Sequence, residues 1–195
     1  LLRFAREQGM EMLDSAPIAS AGRGGRLAAM EELSARFYET LLGGDDRAVQ
    51  RLALGLLERT GDGARLCDDV IAPAMHRVGD AWANDHVAVF SEHAATQRVS
   101  AAIAVARTHL PPPAEDAPVA VCAALEDDPY TLAAAMCSLV LGAGGYRVTL
   151  LGCHTPAEEV LRAAVELSAA LVTISVSTEP SSLEALTSLC AGANE

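Results

Sequence analysis

The feature that most constrains this chain is Leu110-Pro111-Pro112-Pro113-Ala114-Glu115-Asp116-Ala117-Pro118. A proline run lacks the N–H groups a helix needs and favours an extended, semi-rigid spacer, so no regular element crosses it. The periodicity differs on its two sides, which predicts two structural units joined by this spacer. We place the boundaries at a poorly defined N-terminal helix and linker (1–26), a four-helix bundle (27–110), the linker (111–118) and an α/β domain (119–195).

Before the prolines, apolar residues recur at helical spacing: Met30, Leu33, Phe37 and Leu41, then Val49, Leu52, Ala53 and Leu56, then Val99, Ala102, Ile103 and Ala106. Gly43-Gly44-Asp45 and Thr60-Gly61-Asp62-Gly63 read as helix stops followed by N-caps. Pro73, within Asp68 to Trp82, either begins a helix or kinks one. The opening stretch, ending in Gly22-Arg23-Gly24-Gly25, reads as a weak helix and a flexible joint.

After the prolines the pattern alternates. Val119 to Ala123 is a short buried strand, Leu132 to Ala143 a helix closed by Gly144-Gly145, Arg147 to Leu151 a second strand and Ala170 to Ser175 a third. Thr155-Pro156-Ala157-Glu158 reads as a capping box with proline at the first helical position, opening a helix to Ser168, and Ser181 with Glu184 caps another. This alternation predicts βαβ units in a parallel, Rossmann-like (flavodoxin-like) sheet, an α/β fold following the bundle.

Charge excludes several functions. All 14 basic residues are arginine, against 26 acids, for a net charge of −12. Without lysine there is no P-loop and no Schiff-base chemistry, and the acidic balance disfavours contact with nucleic-acid phosphate. The second half is the more acidic, with 2 Arg and 11 acids after residue 110 against 12 Arg and 15 acids before it. Five cysteines with no CxxC pair suggest neither a disulfide framework nor a zinc knuckle, and fit a reduced, cytoplasmic setting. No apolar stretch reaches the ~20 residues of a membrane span.

In open parallel sheets, ligands sit at the carboxyl ends of the strands. Those ends are Leu125 to Tyr130, Gly152-Cys153-His154-Thr155 and Ser175-Val176-Ser177-Thr178. None carries GxGxxG, and Glu126-Asp127-Asp128 would repel a pyrophosphate, so a nucleotide cofactor is not expected. The plain reading of those three acids is a solvated helix N-terminus. In the helical half, Trp82, His86, Glu92 and His93 gather around one helix-loop-helix corner. A lone tryptophan beside a Glu-His pair offers a flat apolar plate with a polar rim, suited to a large planar ligand. Ordinary bundle core remains the competing reading, and the spacing of His86 and His93 resembles no strong zinc motif.

Together these residues resemble a four-helix cap followed by a Rossmann-like cobalamin-binding domain, most like the light-responsive B12 regulators of the MerR family (the CarH type). The likeness runs from about Met30 to the C-terminus. Trp82, nine intervening residues, then Glu92-His93, with Thr96 one turn on, match that group's W-x9-E-H signature. The resemblance implies that Trp82, Glu92, His93 and Thr96 cover the upper corrin face, where an adenosyl group sits. It implies that Asp128-Pro129-Tyr130-Thr131-Leu132-Ala133 stands where the D-x-H-x-x-G motif supplies the lower cobalt ligand, and that Ser175 and Ser177 line the pocket of the nucleotide tail.

Two departures stand out. Tyr130 replaces the motif's histidine and Ala133 its glycine, and a phenol with a pKa near ~10 is a poor neutral-pH ligand beside imidazole. His154, at the neighbouring strand end, is the candidate for the lower position unless the cofactor's own dimethylbenzimidazole or water takes it; Ala83 stands where the resemblance implies, for some photoreceptors, a histidine that captures cobalt after photolysis, with His86 or His93 the substitutes. The chain also ends after the third β-α unit, where the resemblance implies five strands. The expected cofactor is cobalamin, as adenosylcobalamin or another alkyl or hydroxo form. The expected function is a non-enzymatic, cobalamin-binding photoreceptor module controlling an output such as transcription; Leu1 to Met10 weakly resembles the closing helix of a MerR-type DNA-binding domain. The alternatives are a corrinoid carrier in methyl transfer, or a diverged sensor binding haem or nothing. A homo-oligomer is expected, with DNA contacted only through a domain outside this chain and no membrane association.

Overall fold

The computed structural model describes residues 23–176 and 180–192. In the helical half, α1 spans Arg23–Gly43, α2 Asp46–Thr60, α3 Gly63–Arg65, α4 Ala72–Ala83 and α5 Val89–Thr108, with a π-helical segment Leu66–Ile71 joining α3 to α4. After the linker come β1 Val119–Leu125, α6 Leu132–Ala143, β2 Arg147–Thr155, α7 Ala157–Glu166, β3 Leu171–Ser175 and α8 Pro180–Gly192. No helix among the described residues is long and apolar enough to cross a membrane.

The helical stripes are core. Met30, Leu33, Phe37, Leu41, Val49, Ala53, Leu56, Val99, Ala102, Ile103 and Ala106 are all buried, and Leu52 packs against them. The turns behave as their residues dictate. Asp45 caps α2 by accepting from the Ala48 N–H at 3.0 Å, and Gly61 takes the left-handed conformation (φ 62°) that ends α2. Asp62 then accepts from the N–H groups of Ala64 and Arg65. Arg98 ties the first turn down, donating to Asp46 Oδ1 at 2.8 Å and to the Leu41 carbonyl at 2.9 Å.

Pro73 stands in the first turn of α4, as the first of the two readings expects, but it follows a π turn rather than a loop. Helical backbone runs unbroken from Gly63 to Ala83, and the widened π turn lies immediately before the proline, with the Ala72 N–H bonded five residues back to Cys67. Proline cannot donate, and its ring crowds the carbonyl four residues earlier, so a widened turn lets the helix continue. At the other end of the chain segment, Arg23 to Gly25 belong to α1 rather than to a joint. The expected helix and linker before them, including Leu1 to Met10, lie outside the described residues, apart from these first residues of α1.

The sheet is parallel with strand order β2-β1-β3. Central β1 is buried along nearly its whole length. Val121, Ala123 and Leu125 pack with α7 and α8 on one face, while Ala135 and Leu139 of α6 join the core of the helical half on the other. One helix, α6, therefore serves both units. Gly63 is buried against it, since a Cβ there would stand 3.2 Å from the Ala143 Cβ and 3.3 Å from the Leu139 carbonyl oxygen.

The expected capping box at Thr155 does not form. β2 runs on through Thr155, which pairs with Leu125, so Thr155 is extended and its hydroxyl turns to the Cys153 carbonyl at 3.5 Å. Pro156 becomes the N-cap, without a side-chain bond, and α7 ends at Glu166 rather than Ser168. α8 begins at Pro180; the side chain of Ser181 lies outside the described residues.

Cys67 marks the joint between units. It is 1% exposed, its thiol donates to the Met136 carbonyl of α6 at 3.9 Å, and burial, aided by Asp68 and then Cys137, pushes its pKa from 9.0 up to about 12. Between those values the unfolded thiol has lost its proton and the folded one has kept it. The folded state binds more protons there, so stability falls as pH rises through that window. Urea midpoints measured from pH 8 upward should show this decline, and Cys67→Ala should reduce its slope. At neutral pH an alkylating reagent should label exposed Cys137 and spare Cys67.

Candidate functional site

The carboxyl edge of the sheet and the tip of the helical half face the same end of the molecule. Arg107, near the end of α5, donates to the Val148 carbonyl at the start of β2 at 3.4 Å, and Leu110 lies against Gly142 at the end of α6. The C-terminal end of α5 therefore sits at the amino edge of the sheet, alongside the C-terminal end of α6. With 20 residues in α5 and 12 in α6, a rise of ~1.5 Å per residue carries the first turns of α5 about 12 Å past the start of α6. Val89 to Thr96 are therefore at the end of α5 that extends beyond the start of α6, remote from the amino edge of the sheet.

That overhanging tip is apolar and uncovered. Trp82 is 49% exposed at the end of α4, and Val89 and Phe90 are 54% and 76% exposed in the first turn of α5. The loop between them folds back on α4, with the His86 and Val87 N–H groups both bonded to the Ala81 carbonyl at 2.8 and 3.2 Å. The bundle-core reading of Trp82 is thus set aside: about half of the residue's surface meets solvent. Phe90 was not singled out from sequence, because a first-turn aromatic looks like core until its helix is seen to outrun its neighbour.

The polar rim is organised. Glu92 holds Thr96 through Oε1, which accepts from the Thr96 hydroxyl at 2.9 Å, and pairs through Oε2 with His93 Nδ1. His93 is largely exposed, and its Nε2 has no partner among the described residues. His86 stands exposed in the loop.

Across from the tip, Asp128 is 0% exposed, which corrects the reading of the three acids as a solvated helix N-terminus. The acids precede α6 by several residues, in a tight turn where Asp128 Oδ1 accepts from the Tyr130 N–H at 2.9 Å and the Asp128 N–H donates to the Leu125 carbonyl. Tyr130 is 65% exposed, and His154 is exposed with its N–H donating to the Asp128 carbonyl at 3.4 Å. Ser175 ends β3, paired beside Ala124; Ser177 lies outside the described residues. Asp128, Tyr130, His154 and Ser175 thus lie at or just past the carboxyl ends of the strands, and Trp82, Glu92, His93 and Thr96 at the α4–α5 corner of the helical half. Among the described residues no group of three or more His, Cys, Asp or Glu is placed to hold a metal ion.

Comparison with known proteins gives this geometry a context. The family model for the B12 binding domain matches residues 33–107, the helical half. A search of curated proteins gave no match. Among solved structures, the monomethylamine corrinoid protein of Methanosarcina barkeri superposes with a TM-score of 0.65 at 17% identity, covering 84% of this chain and 78% of that one, so the two share a fold. The methanol:cobalamin methyltransferase complex of the same organism (TM-score 0.42, 17% identity, 98% and 76% covered) and a cobalamin-binding protein of Desulfitobacterium hafniense (0.39, 16%, 82% and 75%) are also similar, too loosely to carry an argument. The helical half thus matches the B12 binding domain, the described residues share the helical-plus-Rossmann-like fold of that corrinoid protein, and cobalamin is the cofactor these findings support. An exposed aromatic plate beside an organised polar rim fits such a planar group.

Proposed function

We propose that this chain is a cobalamin-binding module that holds the corrin between the tip of the helical half and the carboxyl edge of the sheet. The observation that carries the reading is the exposed plate of Trp82, Val89 and Phe90, within the stretch that matches the B12 binding domain. The chemistry such a cofactor supplies when bound is the making and breaking of a cobalt–carbon bond. The chain's own part is to shield and orient. Trp82 and Phe90 would exclude water from the bound cofactor, and Thr96 and His93 fix the Glu92 carboxylate beside them.

Two finer readings follow. A corrinoid carrier, presenting an alkyl group to a separate enzyme, is favoured by the shared fold with the monomethylamine corrinoid protein. A light-responsive sensor, assembling as a homo-oligomer and acting through an output domain elsewhere, is favoured by the spacing of Trp82 and Glu92-His93. Incubation with adenosyl- or methylcobalamin in the dark, followed by gel filtration before and after green light, separates them. A carrier retains methylcobalamin at least as well as adenosylcobalamin, and light leaves its elution volume unchanged. A sensor prefers adenosylcobalamin and changes elution volume on illumination. Elution free of any corrin absorbance would sink both.

A further inference from the structure

The end of β2 is irregular where it meets the candidate site. Pairing with β1 runs Cys122 to Leu150, then Ala123 to Gly152, then Leu125 to Thr155, so β2 carries two extra residues over its last turn of ladder. The second irregularity falls between Gly152 and Thr155, where His154 has a left-handed backbone (φ 51°), as does Asp127 in the turn after β1 (φ 63°). Gly152, at φ 91°, makes the first bend without strain. A non-glycine residue in that conformation costs free energy, and bulges re-aim side chains where a strand meets a ligand.

The result is an imidazole without a partner among the described residues, on the same edge as the exposed phenol of Tyr130 and joined to its turn through the His154 N–H to Asp128 carbonyl bond. That turn is itself fixed by the Asp128 carboxylate on the Tyr130 N–H. A neutral imidazole offers a nitrogen lone pair at pH 7, which a phenol does not. We propose that His154, delivered by the bulge in β2, is the lower axial ligand of the bound cobalt. This rests on the cobalamin-binding reading above, and assigns to β2 the task that Tyr130 cannot perform from the β1–α6 turn.

The test uses hydroxocobalamin bound to protein whose histidines carry the heavy isotope of nitrogen, reduced to the cobaltous state and examined by electron paramagnetic resonance. A histidine of the protein splits each high-field cobalt line in two, whereas the ordinary nitrogen of the cofactor's benzimidazole splits it in three. The expected result is the two-fold pattern in the wild type and in Tyr130→Phe, and its loss in His154→Asn. Asparagine tolerates the left-handed backbone, so that variant keeps the turn. A three-fold pattern, no nitrogen splitting, or a two-fold pattern surviving in His154→Asn would overturn the assignment while leaving cobalamin binding standing. Failure of the wild type to retain the cofactor would overturn both.

Discussion

Replacing Leu139 by alanine should destabilise the protein by about 2–5 kcal/mol, the usual cost of truncating a fully buried leucine to leave a cavity. Leu139 is 0% exposed and, although it belongs to α6, it lies in the core of the helical half. The cavity would open where α6 meets α5 and the Cys67 segment, so the joint between the two units should loosen as well. Urea denaturation measures the first effect. The second should appear as faster amide exchange in α6 and weaker retention of cobalamin, because the overhang of α5 depends on that packing. A loss of stability with unchanged retention would show that the tip is held in place by something other than α6.

Trp82→Ala should weaken cobalamin binding by roughly 5–30-fold, the equivalent of the ~1–2 kcal/mol gained when an aromatic side chain already half buried covers its remaining surface. Phe90→Ala should act in the same direction. Because both rings are exposed, folding stability should change little in either variant, and equilibrium dialysis read against thermal unfolding separates the two effects. A Trp82→Ala protein that binds as well as the wild type would remove the ring from the site.

Much of the architecture was legible in the residues. The stripes from Met30 to Leu41 and from Val99 to Ala106 are the buried faces of α1 and α5, and the aspartates after Gly44 and Gly61 cap the helices that follow. Local chemistry decides such features, so sequence displays them. Where a longer-range contact intervened, sequence misled. Thr155 has the residues of a capping box, but pairing with Leu125 holds it in the strand, and Pro73 was absorbed by a π turn that no residue type announces. Asp128 looked like one of three solvated acids until the tight turn buried it.

The candidate site was legible on one side and hidden on the other. The spacing of Trp82 and Glu92-His93 is what singles them out in the sequence. Phe90 did not, because its exposure depends on α5 being longer than α6. Nor did the re-aiming of His154, which depends on an irregular register with β1 rather than on any residue at its own position.

The central claim, that cobalamin lies against the overhanging tip, is tested most directly by the fluorescence of Trp82. It is the only tryptophan in the chain, and at 49% exposure its emission should begin red-shifted, as for a ring in contact with water. Titration with hydroxocobalamin, whose corrin absorbs in the same region, should quench that emission to a plateau at one cofactor per chain, beyond the loss caused by free corrin in solution. Emission that falls only as an equal concentration of free tryptophan falls would contradict the account.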